Sequence, residues 1–159
     1  MKAIFAGSFN PFTIGHLNIV KKSLNVFSEV IIAVASDTAK QNVVDIRARC
    51  DIAKDSTKDL KGTTVLEFNG LLTEFASSQS TNFLIRGLRS EQDFALEKTL
   101  ATVYKDLNKD IELIYFITDT KDSHISSSLV RELIKLNTPI DNYIVKTAKD
   151  KILKAYSNN

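Results

Sequence analysis

Residues 2–35 read KAIFAGSFNPFTIGHLNIVKKSLNVFSEVIIAVA, and this stretch decides the fold. KAIFA is a short apolar run suited to a strand. The corner after it, AGSFNPFTIGH from Ala6 to His16, is dense in glycine, asparagine and proline, the residues a turning chain uses. Leu17, Val20, Leu24 and Phe27 then recur at helical spacing, which predicts a helix over 16–27. EVIIAVA (29–35) is almost wholly apolar and lacks the in–out alternation of a half-exposed strand, so it predicts a strand covered on both faces. Strand, helix and strand in this order form a βαβ unit, whose two strands pair in parallel.

The remaining chain repeats the alternation. Helical pattern over 45–60 precedes a strand TTVLEF (63–68) and a short helix LLTEFASS (71–78). A fourth strand, NFLIR (82–86), leads into a long helix over 90–107 with Leu96, Leu100, Val103 and Leu107 on one stripe. IELIYFI (111–117) is a fifth strand. SLVRELIKL (128–136) and residues 141–155 finish the chain as helices parted by a turn at Pro139. The pattern predicts an α/β fold: a Rossmann-like, doubly wound, parallel five-stranded sheet with helices on both faces. At 159 residues and with no linker or repeat, 1–159 reads as a single domain that includes the C-terminal helices.

Composition narrows the function classes. The 21 basic and 19 acidic residues leave a net charge of +2, with no clustered basic footprint for nucleic acid. Anion binding must come from a few placed groups. The one cysteine, Cys50, cannot close an internal disulfide, and the spacing Ile46, Cys50, Ala53 puts it on the apolar side of a helix. No signal-like or membrane-length apolar run is present, which predicts a cytoplasmic protein with no membrane partner.

In a doubly wound sheet the ligand site gathers at the carboxyl ends of the strands. The segments there are GSFNPFTIGH, SDTAKQN with Lys40, NGLL, RGLRSEQDF and TDTKDSHISSSLVRE. Gly7 and Gly15 allow close backbone approach, and a helix opening near His16 points N–H groups at an anion. The alternative is a tight turn whose histidine caps the helix. Arg86 and Arg89 flank Gly87 and suit phosphate oxygens through forked hydrogen bonds. Arg89, Asp93 and Glu97 also fit an ordinary surface ion-pair ladder. Three serines at 126–128 can cap a helix or cradle a phosphate. There is no G-x-G-x-x-G dinucleotide fingerprint.

Taken together, GSFNPFTIGH, LIRGLR, DFALE and ISSSLVRE resemble, in order and separation, the adenylyltransferase branch of the nucleotidyltransferase α/β superfamily. The T-x-G-H form at Thr13–His16 and LIRGLR are most similar to the phosphopantetheine adenylyltransferase family of the bacterial coenzyme A pathway. The resemblance implies transfer of AMP from ATP to 4′-phosphopantetheine, giving dephospho-coenzyme A and pyrophosphate by direct in-line attack without a covalent intermediate. It makes His16, Ser8, Lys40 and Arg89 the catalytic set. It assigns Ser8, Lys40, Leu72 and Arg86 to the acceptor. It assigns Ser8, Phe9, His16, Gly87, Leu88, Arg89, Glu97, Asp122, Ser123, His124, Ile125, Ser126, Ser127 and Ser128 to ATP. Mg²⁺ is implied mainly on the ATP phosphates, with no dedicated protein metal site, and so are a homohexamer and feedback by coenzyme A. Ser8, Asn10, Gln41, Asp122 and His124 depart from the family pattern of threonine, aspartate, a second lysine, an aromatic and an apolar residue.

Overall fold

A computed structural model describes residues 1–36 and 44–157. Strands β1 (Lys2–Gly7), β2 (Glu29–Ala35), β3 (Thr63–Phe68), β4 (Phe83–Leu88) and β5 (Glu112–Ile117) form one sheet in the order β3-β2-β1-β4-β5. Each pairing is parallel. Helices α1 (Ile14–Leu24), α2 (Ile46–Thr57), α3 (Leu72–Ser78), α4 (Glu91–Leu107), α5 (Ser127–Lys135) and α6 (Lys149–Tyr156) cover it. This is the doubly wound α/β fold that the alternation predicts.

The period-2 geometry of the strands divides the core in two. Ala3, Phe5, Val30, Ile32, Val34 and Ile85 face one layer, with residues of α1, α2, α5 and α6. Ile4, Ala6, Ile31, Ala33 and Leu84 face the other, against Ala76 of α3 and Tyr104 of α4. The central strands β1 and β2 are therefore apolar on successive residues, which explains why EVIIAVA carries no alternation. Cys50 is buried in the first layer, as its helical spacing implies.

Several boundaries differ from the sequence expectation, and each shift has a local cause. α1 begins at Ile14 rather than 16 because Thr13 caps it. β4 runs on through Gly87 and Leu88, pairing them with Phe116 and Ile117, so these two residues are strand rather than loop. Residues 141–145 are not helical, and regular helix begins only at Lys149 after a 3₁₀ turn at Lys146–Ala148. Ile140 and Ile144 are buried there, so apolar spacing at i and i+4 arises from core contact without a continuous helix. The α4 stripe is also not core. Leu96, Val103 and Leu107 are exposed, and the buried member of the helix is Glu97.

The sheet order places the functional corner. The chain leaves β1 toward β2 on one side, and β4 returns on the other. The carboxyl ends of β1 and β4 thus lie side by side at the topological switch point, where the crossover connections diverge and leave a crevice.

Candidate active site

An open cleft of about 640 Å³ occupies that crevice. β1 brings Gly7 and the corner residues Ser8 and Phe9 to it, and α1 brings His16. β4 contributes Arg86 and Gly87, α4 contributes Asp93 and Glu97, and the start of α5 contributes Ser126, Ser127 and Ser128. Arg89 lines the wall between β4 and α4.

His16 caps the helix, and its ring also lines the cleft. It is the third residue of α1 and closes a capping box: the Thr13 N–H donates to His16 Nδ1 at 3.0 Å, and the Thr13 hydroxyl accepts from the His16 N–H at 3.4 Å. A backbone N–H can only donate, so Nδ1 is the accepting nitrogen and the neutral ring carries its proton on Nε2. The ring packs edge-on to Phe9 at 5.1 Å and against Phe12 at 5.3 Å. One nitrogen thus anchors the ring to the helix end, and the other is a hydrogen-bond donor on a ring that lines the cleft.

The corner is held from beneath. Asn10 is 1% exposed, and its side-chain Oδ1 accepts from the Tyr156 hydroxyl at 2.6 Å. Burial pushes the Tyr156 hydroxyl well above its ordinary value, so it stays protonated and remains a donor. Arg131 donates to the Asn10 carbonyl at 2.5 Å, and the Ser127 hydroxyl donates to the Pro11 carbonyl at 2.8 Å. The Asn10–Pro11 peptide is cis. Helices α5 and α6, more than a hundred residues away in sequence, therefore shape the turn after β1.

Arg86 forms a forked pair with Glu97, Nε to Oε2 at 2.8 Å and Nη2 to Oε1 at 2.5 Å. Burial disfavours the Arg86 charge, but the Glu97 carboxylate more than offsets this and holds the guanidinium above its ordinary value. The pair fixes the guanidinium plane at the cleft wall. Arg89 pairs with Asp93 instead, through its N–H at 3.0 Å and its Nε at 3.2 Å. The Arg89–Asp93 rung of the surface ladder exists, but Glu97 turns inward to Arg86.

The serines are likewise engaged. Ser126 caps α5 by accepting from the Leu129 N–H at 3.1 Å, and Ser128 accepts from Arg131 at 3.2 Å. Ile125 also lines the cleft. Leu88, Leu72, Asp122, Ser123 and His124 do not line it. Leu88 ends β4, and Leu72 opens α3 and packs against the second core layer. Asp122 is buried and accepts a hydrogen bond from Asn18 of α1. Ser123 donates to the Thr120 carbonyl at 2.8 Å, and the His124 ring meets Tyr143 edge-on at 6.1 Å. Lys40 and Gln41 lie outside the described residues. The sequence reading gave no site role to Arg131, Thr118 or Leu96, which line the cleft too. Of these, Arg131 had a signal, since it closes the ISSSLVR motif on the same helix as the serines.

Fold and site define a doubly wound α/β protein with an arginine-, histidine- and serine-lined cleft at its switch point, and comparison with known proteins makes this specific. A cytidylyltransferase-like family profile matches residues 4–133. A phosphopantetheine adenylyltransferase from Helicobacter hepaticus is 38% identical over 157 residues, covering 99% of this chain and 95% of its own. Another from Caldanaerobacter subterraneus is 34% identical, covering 99% and 98%. A solved structure from Vibrio parahaemolyticus, of a candidate nicotinate-nucleotide adenylyltransferase, superposes with a TM-score of 0.72 at 18% identity, covering 99% of this chain and 96% of its own. That likeness bears on the fold alone. The chain belongs to the cytidylyltransferase-like family and, within it, to the phosphopantetheine adenylyltransferases.

Replacing Tyr156 by Phe removes the donor to Asn10 and leaves its Oδ1 unpaired beside an Nδ2 that has no partner among the described residues. Urea unfolding should show a loss of roughly 1–3 kcal/mol, the cost of stranding a buried acceptor. An unaltered midpoint would mean that the hydroxyl does not hold the corner.

Proposed function

We propose that this chain transfers AMP from ATP to 4′-phosphopantetheine, releasing pyrophosphate and forming dephospho-coenzyme A. The observation that carries the proposal is the convergence, at one switch-point cleft, of an oriented histidine donor, three arginines and a helix N-terminus with its serines. The near-full-length likeness to phosphopantetheine adenylyltransferases supports the acceptor.

A phosphate oxygen of the acceptor attacks the α-phosphorus. The bond to the β-phosphate's bridging oxygen breaks, and pyrophosphate leaves with that electron pair. Catalysis then rests on positioning and on stabilising charge. The His16 Nε2–H donates to the α-phosphate oxygens as their charge rises. Ser8 contacts both substrates, and Arg86, turned by Glu97, holds the acceptor phosphate. Arg89 meets the outer ATP phosphates, and the N-terminus of α5 with Ser126–Ser128 holds the nucleotide. Gly87, Leu88 and the 122–125 segment are assigned to the adenylate side, and Leu72 and Lys40 to the acceptor, by the family resemblance. Mg²⁺ comes with ATP and neutralises its phosphates; among the described residues no three of His, Cys, Asp or Glu cluster into a metal-holding group.

Self-association is part of the proposal, with the hexamer taken from the resemblance. α4 exposes Leu96, Val103 and Leu107 on one stripe, and the edge strand β5 ends at Ile117, 75% exposed. A bare apolar helix face beside a sheet edge suits a second copy. Feedback by coenzyme A follows from its shared pantetheine arm and adenylate, and added coenzyme A should slow the reaction. A cytoplasmic setting fits these substrates; among the described residues no helix is long and apolar enough to cross a membrane.

Mg²⁺-dependent pyrophosphate release should occur with 4′-phosphopantetheine and not with nicotinamide mononucleotide, and the reverse preference contradicts the acceptor. His16→Ala should cut kcat by about 10²-fold or more with little change in ATP binding. Equal losses in both would contradict a transition-state role. Sedimentation velocity should show an assembly that Val103→Glu with Leu107→Glu dissociates, and a monomeric wild-type protein would contradict the self-association.

A further inference from the structure

Arg49 is a buried charged side chain at the carboxyl end of the sheet. It lies on α2, is 1% exposed, and forms no salt bridge among the described residues. Long charged side chains are seldom buried this far unless paired. Here three backbone carbonyls take the place of a carboxylate. Nε donates to Val44 O at 2.8 Å, and Nη1 donates to Ala35 O at 2.9 Å and to Ser8 O at 2.6 Å. Burial pushes the guanidinium below its ordinary value, but arginine keeps its charge even so.

The Ser8 contact reaches the reaction corner. Ser8 and Phe9 line the cleft, and Phe9 has φ +44°, in the left-handed region that a bulky residue rarely adopts. Such a conformation persists only where its surroundings over-determine it. Phe9 is buried and its ring is clamped by Phe5, Phe12 and His16. The peptide just before it is fixed by Arg49. In a trans peptide the carbonyl and the N–H point opposite ways. The guanidinium that takes Ser8 O therefore turns the Phe9 N–H away from itself.

We infer that Arg49 is a positioning residue for the transfer reaction: it ties the Ser8–Phe9 peptide to the end of β2 and so sets where the Ser8 hydroxyl and Phe9 N–H stand in the cleft. This rests on the reading of Ser8 as a substrate contact. Lysine cannot replace the fork, because one ammonium on a flexible stem lacks the fixed Nε and Nη1 donors that reach these three carbonyls.

The test is steady-state pyrophosphate release from ATP and 4′-phosphopantetheine by the full chain, its R49K and S8A variants, and the double variant. R49K should keep a native circular dichroism spectrum and lose about 10-fold or more in kcat/KM, since small misplacements of reacting groups are costly. If Arg49 acts through Ser8, the double variant should lose little more than the worse single variant. An R49K enzyme within about twofold of wild type, or a double variant whose loss is the product of the two singles, would overturn the inference. A wild-type protein inactive toward 4′-phosphopantetheine is a different result: it contradicts the proposed function itself, and the kinetic role inferred for Arg49 falls with it. Should R49K fail to fold, a crystal structure of the wild-type protein with ATP bound decides. Arg49 Nη1 on Ser8 O supports the role, and a Ser8 carbonyl turned elsewhere overturns it.

Discussion

The site depends on one hydrogen bond, from the Thr13 N–H to His16 Nδ1. Helix starts leave N–H groups without intrahelical partners, and α1 satisfies one of them with its own histidine. The bond ends the turn after β1, starts α1, and determines which ring nitrogen is the donor. Because the ring is also walled by Phe5, Phe9 and Phe12, its position follows from the packing of β1 and of the corner. One side chain both caps α1 and faces the cleft, so the capping reading of this histidine does not exclude the phosphate contact proposed for it.

The cations of the cleft follow a similar logic. Arg86, Arg89 and Arg131 each have a named protein partner, namely Glu97, Asp93 and the Asn10 carbonyl. Arg49 donates, among the described residues, to backbone carbonyls only. A guanidinium has five donors, so engaging one or two of them orients the plane and leaves capacity for phosphate oxygens. The near-neutral net charge of the chain is compatible with anion chemistry for this reason: the positive groups are few and fixed in place.

Much of this was legible in the sequence because the governing patterns are local. EVIIAVA could only be a central strand, and GSFNPFTIGH could only be a corner, so the switch point follows from their order. Arg86, Gly87 and Arg89 were found because they stand at or just past the end of a strand, and the serines because they open a helix. Long-range partners were not legible. Nothing in the sequence near Asn10 announces Tyr156, and a helical arginine at 49 looks like any solvated one until its burial is known. The stripe of α4 located the helix but not what covers its apolar face. Periodicity reports that an apolar face exists, not whether this chain or another covers it.

The most direct check is the protonation pattern of the His16 ring, read from the ¹⁵N resonances of imidazole-labelled protein near neutral pH. The account predicts, for the neutral ring, a proton on Nε2 and an unprotonated, hydrogen-bonded Nδ1, abolished when Thr13 is replaced by proline, which has no N–H. A neutral ring protonated on Nδ1 would contradict it, because the Thr13 N–H could not then be donating to that nitrogen and the donor assigned to the α-phosphate would be absent.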